Sequence, residues 1–319
     1  MADASQNPPF SHKQRAFVIS PDLELVETLK SLWSDEWMEF TVFERGRSAI
    51  ELLFNEPPDL LIVDNRLEDI SGAEVANSVK SENVYRQLPV VLVLDQDDMS
   101  TPWDWASVEV DDFLVRPFTP CEARDRVNLT ICRAMRALDA NPLSKLPGNT
   151  SIIQRIQQLI DKKEDFALAY CDLDFFKSFN DKYGFSRGDE ILMMTARVIV
   201  NTIKSFGGGK NFVGHVGGDD FVFIMPPELV EEACQRIVKT FDAIVPNFYD
   251  AEDRKQGKII STDRQGEVRE FPLMAVSIAV VFNQDGRMEH FGEASAIAMS
   301  LKKKAKENPK SCYVLDRRT

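Results

Sequence analysis

Five short apolar segments alternate with amphipathic segments between residues 15 and 118, and this alternation limits the fold more than any other feature of the sequence. The apolar segments are RAFVI, EFTVF, DLLIV, PVVLVL and DDFLV. Amphipathic stretches such as LELVETLKSLW and AIELLFN lie between them. Strands that alternate with helices along a chain form a parallel sheet with helices on both faces. We therefore expect five strand–helix units and a doubly wound α/β domain over residues 15–118.

Polar residues follow two of these expected strands. Ser20, Pro21 and Asp22 come after the first strand, and Asp64 comes after the third. Functional residues of doubly wound sheets gather at the carboxyl ends of the strands. The sequence therefore predicts a functional edge that includes Asp22 and Asp64.

Residues 119–142 predict a helical linker or stalk. Four apolar residues are spaced four, three and four apart, which is a heptad seam about two heptads long; they are Val127, Ile131, Ala134 and Leu138. So short a seam packs either on its own domain or on a second chain. Residues 143–319 then form a second domain, of mixed strands and helices, and the polar residues 1–14 are expected to be disordered.

The second domain contains the segment FVGHVGGDDFVFIMP, residues 212–226. Apolar residues alternate on both sides of Gly217, Gly218, Asp219 and Asp220, which is typical of a β-hairpin with these four residues at its turn. Glycines let a backbone approach a bulky anion closely. Two adjacent carboxylates repel a phosphate unless divalent cations lie between them. The segment indicates a metal-assisted nucleotide site, or alternatively a plain turn, because Gly and Asp are common turn residues.

A second acidic segment, AYCDLDFFKSFNDKYGFSRGDEIL, covers residues 169–192. A buried strand is expected to end at Asp172, where a carboxylate suits Mg²⁺ held by few protein ligands and phosphate oxygens. Asn180 and Asp189 are a plausible pair for reading guanine, because a carboxylate accepts from its N1–H and N2–H₂ donors. Adenine lacks these donors and would leave the polar groups unpaired. The alternative is a solvated loop with helix caps.

Composition excludes several classes of function. The net charge of −13 disfavours a large nucleic-acid surface, so no nucleic-acid partner is expected. The sequence has no run of about 18 apolar residues and no apolar signal segment at its N-terminus, so no membrane partner is expected. Its five cysteines are scattered without metal-ligand spacing, which is typical of free thiols in a reducing cytoplasm. We therefore expect a cytoplasmic protein of two domains.

Four features of residues 143–319 occur in one order: LSKLPGN, DLDFFKSFNDKYGFSRGD, GGDDF and KKKAKENPK. Together they resemble the GGDEF domain of diguanylate cyclases. The resemblance implies an α/β, nucleotidyl cyclase-like domain that joins two GTP molecules into cyclic di-GMP and releases pyrophosphate. It also implies a homodimer in which each subunit holds one GTP.

The resemblance implies a role for each matching residue. Asp172, the carbonyl of Leu173, and Asp219 would hold Mg²⁺ (or Mn²⁺), with Asp220 as a further catalytic carboxylate. Asn180 and Asp189 would read the guanine. The other residues implied in substrate binding are Phe176, Lys177, Gly217, Gly218, Lys306 and Lys310, of which the last two would bind phosphate.

Three positions depart from the family pattern. Asp220 replaces the usual glutamate, so this carboxylate is one methylene shorter. The segment Gly208-Gly209-Lys210-Asn211 replaces the Arg-x-x-Asp of the inhibitory product site, so product inhibition by that route is not expected. Lys310 replaces an arginine, and lysine binds phosphate only as a point charge.

Residues 15–138 resemble the receiver domain of response regulators, a flavodoxin-like fold. DLLIVDNRLEDISGAEV matches the phosphoacceptor segment, with Asp64 as acceptor, and DDFLVRPF matches the end of the fifth strand. Ser20-Pro21 replaces an acidic pair, Leu94 replaces a hydroxyl residue and Arg116 replaces a lysine. Because aspartyl phosphorylation needs Mg²⁺ held by several carboxylates, we expect a degenerate receiver that serves as a dimerisation or docking platform for a signalling partner.

Two functions remain open on the sequence. The first is an active, GTP-consuming diguanylate cyclase, favoured by the retained Asp172, Asn180, Asp189 and Asp219. The second is a catalytically silent relative that binds nucleotide or a protein partner, favoured by Asp220 and the altered receiver. A DNA-binding output domain has little support, because nothing in the second domain is basic or helix-turn-helix-like.

Overall fold

The computed structural model describes residues 13–207, 211–262 and 268–316. The chain divides into two compact units, with the boundary between Leu138 and Asp139. Among the described residues, no helix combines the length and the apolar character needed to cross a membrane.

The N-terminal unit contains one five-stranded sheet. Its elements are β1 (Gln14–Ile19), α1 (Leu23–Lys30), β2 (Met38–Phe43), α2 (Gly46–Leu53), β3 (Leu60–Asp64), α3 (Gly72–Ser81), β4 (Val90–Asp95), β5 (Asp112–Arg116) and α4 (Pro120–Asp139). The strands are all parallel and lie in the order β2-β1-β3-β4-β5. Separate apolar cores fill the two faces of the sheet. The prediction of a doubly wound, flavodoxin-like sheet is confirmed.

The connection between β4 and β5 differs from the expected strand–helix unit. It contains a short 3₁₀ segment, Gln96–Ser100, and irregular chain instead of an α-helix. Asp, Ser and Thr compete with helical hydrogen bonds here, and Pro102 lacks an N–H donor. Trp103 and Trp105 stack at 5.4 Å between ring centroids, and Trp105 stacks on Phe113 at 4.9 Å. Aromatic rings therefore cover the part of the sheet that a helix would otherwise cover.

The heptad seam of α4 packs within its own unit over its first half. Val127 and Ile131 are buried in the core beneath α1 and α4. Leu138, at the other end of the seam, is 63% exposed. The sequence left open whether the seam packs on its own domain or on a second chain. Its first two residues pack on the N-terminal unit itself.

The C-terminal unit contains a mixed sheet and a separate hairpin. Its elements are α5 (Asn149–Asp161), β6 (Phe166–Asp174), α6 (Phe176–Tyr183), α7 (Phe185–Ser205), β7 (Phe212–Gly217), β8 (Asp220–Met225), α8 (Val230–Ile244), α9 (Ala251–Gln256), β9 (Lys258–Thr262), β10 (Val268–Pro272), β11 (Ala275–Asn283), α10 (Phe291–Ala305) and β12 (Cys312–Leu315). The main sheet has the order β12-β11-β6-β8-β7, and β6 is antiparallel to both of its neighbours.

Strand β6 lies at the centre of this sheet and separates two cores. Ala169 and Cys171 belong to the core beneath α7 and α8, whereas Leu168 belongs to the core beneath α5 and α10. Because side chains alternate along a strand, Asp172 and Asp174 face the α5 and α10 side. The alternation places two carboxylates on one face at the carboxyl end of β6.

Some sequence expectations fall outside the described residues. They are residues 1–12 of the disorder expected for residues 1–14, residues 208–210 of the altered product site, and the turn at Arg264-Gln265-Gly266. The expectation of disorder is wrong for Gln14, which is the buried first residue of β1. The hairpin expected over residues 258–271 is present as the antiparallel pair β9 and β10.

His215 joins the β7–β8 turn to the segment that precedes α5. Its Nε2 donates to the carbonyl oxygen of Gly218 at 2.9 Å, and its Nδ1 accepts from the Ser144 hydroxyl at 2.9 Å. Its backbone N–H donates to the carbonyl of Pro147 at 2.8 Å. The ring also stacks on Phe221 at 4.1 Å. The neutral imidazole therefore fixes the position of the hairpin turn.

We expect His215 to make the stability of this unit depend on pH. Burial lowers the pKa of His215 below its usual value of 6.5, despite the hydrogen bond to Gly218. Below about pH 6.5 the unfolded chain binds a proton that the folded chain does not, so the free energy of unfolding decreases as the pH falls. Scanning calorimetry at pH 7.5 and 5.5 measures this loss of stability.

The substitution His215→Gln should reduce that loss, and His290→Gln, at an exposed position, is the matched control. The wild-type protein and the control should lose more stability between the two pH values than His215→Gln. An equal loss in all three proteins would contradict the role given to the buried imidazole.

Candidate functional site

Two aspartates face each other across neighbouring strands of the C-terminal sheet. Asp172 on β6 pairs in register with Asp220, the first residue of β8. Asp219 precedes Asp220 in the turn, and Asp174 ends β6. Asp172 is only 4% exposed and Asp174 only 9%. The two acidic segments recognised in the sequence therefore converge at one edge of the sheet.

Lysines of α10 neutralise part of this acidic cluster. Lys302 Nζ lies 2.6 Å from Asp172 Oδ2 and also forms an ion pair with Asp220 Oδ1. Lys306, just after α10, places Nζ 2.7 Å from Asp172 Oδ1. Both oxygens of Asp172 thus face an ammonium group.

The pKa directions show that the negative charge is only partly compensated. Burial alone would raise the pKa of Asp172, but hydrogen bonds from Lys302 and Lys306 hold this pKa below its usual value. Burial, and then the charge of Asp172, raise the pKa of Asp219. Burial likewise raises the pKa of Asp220 and of Asp174. A further cation at this edge would therefore be stabilised.

The turn between β7 and β8 requires glycine. Gly217 has φ 148° and Gly218 has φ 57°, a region that residues with a Cβ adopt at a cost. Apart from the adjacent residues in the chain, no heavy atom of the described residues lies within 4 Å of the position that a Cβ would take at either glycine. The tip is an open backbone surface beside Asp219, which suits the close approach of an anion.

The donor chemistry of the cluster fits a hard divalent cation. Among the residues that the structure describes, no three His, Cys, Asp or Glu side chains converge closely enough to hold a metal ion by themselves. Mg²⁺ bound with a nucleotide needs only one or two carboxylates, because phosphate oxygens and waters complete its octahedron. Asp172 and Asp219 supply such carboxylates, and the side chain of Leu173 is buried on the opposite face.

Asn180 and Asp189 are brought together by a close approach of two helices. A Cβ on Gly188 would lie 1.9 Å from Asn180 Oδ1, so only glycine leaves room for this side chain. Asn180 Oδ1 is buried without a hydrogen-bond partner among the described residues. Asp189 is exposed and lines a groove of about 1270 Å³ between α7 and α8. The exposed carboxylate of Asp189 can accept hydrogen bonds from a ligand that carries N–H donors.

The remaining residues implied by the resemblance are less closely grouped. Phe176 begins α6 and packs partly against the core, whereas Lys177 is exposed. Lys310 is exposed before β12, and none of the hydrogen bonds or ion pairs described for the acidic cluster involves it. Phe175 precedes α6 with φ 65°, a left-handed conformation that is uncommon for a bulky residue. It turns the chain sharply between Asp174 and the helix that carries Asn180.

Two residues at the acidic cluster escaped the sequence reasoning. Asp174 belongs to the acidic segment singled out in the sequence, and it lies two residues after Asp172 on the same strand face. Lys302 lies four residues before Lys306, on the same face of α10, which helix periodicity would have indicated. Ser277, which donates to Asp174 Oδ2, carries no sequence signal because it lies within an apolar strand.

Asp64 lies in a closed ionic network in the N-terminal unit. It ends β3, is 3% exposed, and accepts a hydrogen bond from the Ser20 hydroxyl at 2.9 Å. Arg116, at the end of β5, forms an ion pair with Asp64 and another with Asp95 at 3.1 Å. The same guanidinium lies 3.6 Å from Asp22. The carboxylates at this edge are thus bridged by one arginine.

A second arginine extends the network. Arg66 lies 2.8 Å from Asp95 and 3.4 Å from Asp98. Ser20, at the position of the missing acidic pair, bonds to Asp64 and also receives the backbone N–H of Asp22. The edge therefore holds arginines where a Mg²⁺-dependent phosphoacceptor site needs free carboxylates.

Each of the two units matches a known domain family. Residues 17–128 match the response regulator receiver domain, and residues 139–260 match the diguanylate cyclase GGDEF domain. The two matches occur in the order expected from the sequence motifs.

Individual relatives share this order or one of its parts. The response regulator PleD of Caulobacter vibrioides is 26% identical over 211 residues, which are 61% of this chain and 46% of PleD. The diguanylate cyclase DgcP of Pseudomonas aeruginosa is 28% identical over 108 residues, which are 33% of this chain and 16% of DgcP. This chain therefore spans less than half of the length of either relative.

One solved structure illustrates the level of structural similarity. The coiled coil and GGDEF domain of DgcB from Caulobacter crescentus, in complex with c-di-GMP, is 17% identical and has a TM-score of 0.43. The match covers 61% of this chain and 95% of that one. The assignment of the two segments to families rests on the family matches and not on this structural similarity. Residues 17–128 belong to the response regulator receiver family, and residues 139–260 belong to the GGDEF family.

Proposed function

We propose that this protein is a cytoplasmic diguanylate cyclase, which condenses two GTP molecules into cyclic di-GMP and two pyrophosphates. The observation that carries the proposal is the in-register pair of Asp172 and Asp220, with Asp219 beside it at a glycine turn. Excess negative charge next to an open backbone tip suits a cation and a polyphosphate. Membership of the GGDEF family supplies the substrate class.

The reaction joins two nucleotides by two equivalent displacements. The ribose 3′-hydroxyl of one GTP attacks the α-phosphorus of the other, an O–P bond forms, and the bond to pyrophosphate breaks. A divalent cation, Mg²⁺ or Mn²⁺, neutralises phosphate charge when bound and lowers the pKa of the attacking hydroxyl. Asp172 and Asp219 hold that cation, and Lys306 binds phosphate. Each subunit of a homodimer presents one GTP to the other, which converts the encounter into an oriented reaction.

Base recognition is assigned to the second group of residues. Asn180 lies beside Gly188, the residue before Asp189, because Gly188 has no side chain. The carboxylate of Asp189 accepts hydrogen bonds from guanine N1–H and N2–H₂, and the side-chain amide of Asn180 donates to guanine O6. Adenine would leave these groups unpaired, so the site selects GTP over ATP.

A silent, nucleotide-binding protein is the second candidate. The short Asp220 side chain, bound to Lys302, favours this function because a glutamate would extend farther toward a ligand. Both candidate functions predict that the protein binds GTP, but only the diguanylate cyclase converts GTP into product.

The first prediction concerns turnover. Purified protein incubated with GTP and Mg²⁺ should form cyclic di-GMP and pyrophosphate, measured by chromatography. Asp172→Asn should lower the rate by about 100-fold or more, because fixed charges that stabilise a developing charge contribute on this scale. Asp181→Asn, at an exposed position on α6, is the matched control and should keep the rate. GTP binding without product, at high protein concentration, would favour the silent relative.

The second prediction separates base recognition from stability. Gly188→Ala should weaken GTP binding by about tenfold, because the new methyl group displaces the side chain of Asn180 and one hydrogen bond is worth roughly 1.4 kcal/mol or less. Thermal stability should change little, because the helix preference of alanine over glycine, about 1 kcal/mol, offsets part of the cost of displacing the Asn180 side chain. Calorimetric titration with a non-hydrolysable GTP analogue measures the affinity, and Ser186→Ala is an exposed control on the same helix. Unchanged affinity would contradict the assigned base site.

The N-terminal unit is assigned a role that does not require phosphorylation. Arg116 bridges Asp64 and Asp95, and Ser20 also bonds to Asp64. Arginine stays charged at every accessible pH and binds carboxylates as a planar fork, so it is a poor ligand environment for Mg²⁺. Without phosphorylation, the N-terminal unit can serve as a platform for dimerisation or for binding a signalling partner.

The third prediction tests this assignment. Incubation with acetyl phosphate and Mg²⁺ should add no phosphoryl group to Asp64, as measured by intact-mass spectrometry, and Asp64→Asn should change cyclase activity little. A stoichiometric, Asp64-dependent phosphoryl adduct that alters activity would overturn the assignment.

A further inference from the structure

Lys302 occupies the space between the two opposed carboxylates of the acidic cluster. Its Nζ lies 2.6 Å from Asp172 Oδ2 and also contacts Asp220 Oδ1. One ammonium group therefore touches both members of the cross-strand pair. A divalent cation held by Asp172 and Asp219 would need the oxygen of Asp172 that Lys302 occupies.

Lys306 differs from Lys302 in its freedom to move. The side chain of Lys306 is 44% exposed and contacts only Asp172 within the cluster. The side chain of Lys302 is 23% exposed and has two carboxylate partners. Lys306 can therefore swing to a phosphate, whereas Lys302 is held in place as long as both carboxylates are free of metal.

We propose that Lys302 acts as a built-in competitor of the divalent cation, and that metal binding requires its ammonium group to leave Asp172 Oδ2. This inference rests on the proposed function, because it concerns the same acidic cluster. The ammonium group is tethered to the protein and the metal ion is free in solution, so displacement of Lys302 depends on the metal concentration and raises the concentration needed for half-saturation. Lys302 thereby sets how much Mg²⁺ the protein requires.

A cavity beside Lys302 can accommodate its side chain after displacement from the carboxylates. A cavity of about 630 Å³ borders Lys302, Lys303 and Asp220 on the face between α5 and α10. Tyr170 and Ser295 also line it, and their hydroxyl oxygens lie 3.1 Å apart. These oxygens can accept from an ammonium group that has left the carboxylates. The cavity beside Lys302 therefore provides space and hydrogen-bond acceptors for an alternative rotamer of its side chain.

The expected consequence is that removal of the ammonium group strengthens metal binding. Lys302→Met keeps the length and apolar stem of the side chain but removes its charge. We expect its affinity for Mn²⁺, measured by electron paramagnetic resonance without nucleotide, to rise by about tenfold or more, the scale on which partners of metal ligands change affinity. The Mg²⁺ concentration that gives half-maximal cyclase rate should fall in parallel.

Lys304→Met is the matched control for charge. Lys304 is exposed on the same helix, and no described carboxylate forms an ion pair with it. Its substitution changes the net charge equally and should leave the affinity for Mn²⁺ at the wild-type value. An equal increase in the affinity for Mn²⁺ in both variants would show that the effect comes from net charge alone, and it would overturn the proposal.

The remaining outcomes are also decisive. Unchanged or weaker Mn²⁺ binding by Lys302→Met, with a circular dichroism spectrum like that of the wild type, would mean that Lys302 is a permanent partner of the carboxylates. Lys302→Gln, which is shorter and neutral, provides a second test if the methionine variant does not fold. Because Mn²⁺ binding is measured without GTP, a protein that makes no cyclic di-GMP would contradict the proposed function and leave this test intact.

Discussion

The pairing of β6 with β8 sets Asp172 opposite Asp220, and the site depends on the repulsion that this creates. Like charges directly opposite each other destabilise an antiparallel pair. The sheet tolerates the arrangement because Lys302 and Lys306 lie against the carboxylates. Because Asp172 and Asp220 repel each other, the end of the sheet where they lie is a position that binds a cation strongly.

The surroundings of the pair fix its geometry. The β7–β8 turn is held by two glycines with positive φ and by the hydrogen bond from His215 to the carbonyl of Gly218. At the end of β6, Phe175 turns the chain in a left-handed conformation. The acidic edge is thus preorganised by the backbone, whereas Lys302 and Lys306 reach it with flexible side chains. This division suits a site in which protein cations give way to a metal ion and phosphates.

Both units place acidic residues at strand ends and neutralise them with their own basic residues, but the basic residues differ. In the N-terminal unit Arg116 bridges Asp64 and Asp95 with a planar guanidinium group. In the C-terminal unit Lys302 bridges its two carboxylates with a single ammonium group. A guanidinium fork matches carboxylate geometry and is lost reluctantly, whereas a lysine is a point charge on a flexible stem. The chemistry of the two partners is consistent with a closed site in the first unit and an exchangeable one in the second.

The sequence was sufficient for the fold class and for most acidic residues of the candidate site. Alternating apolar runs predicted the parallel sheet, and the resemblance to the GGDEF family implied that Asp172 and Asp219 converge. The irregular β4–β5 connection was missed because stacked tryptophans replaced a helix, and such packing leaves no periodic signal. Lys302 was missed because a run of lysines at a helix end is typical of a solvated surface. Only the register of β6 on β8 shows that one of them is directed between two carboxylates.

The central claim is that a metal–GTP complex binds at the edge formed by Asp172 and the β7–β8 turn. Paramagnetic broadening by Mn²⁺–GTP, observed on backbone amide resonances of isotope-labelled protein, tests it most directly. The account predicts strong broadening of Gly217, Gly218 and Asp219, and little effect on Gly257, which lies in the separate α9–β9 segment. Broadening centred on any other part of the chain, with the turn unaffected, would contradict the account.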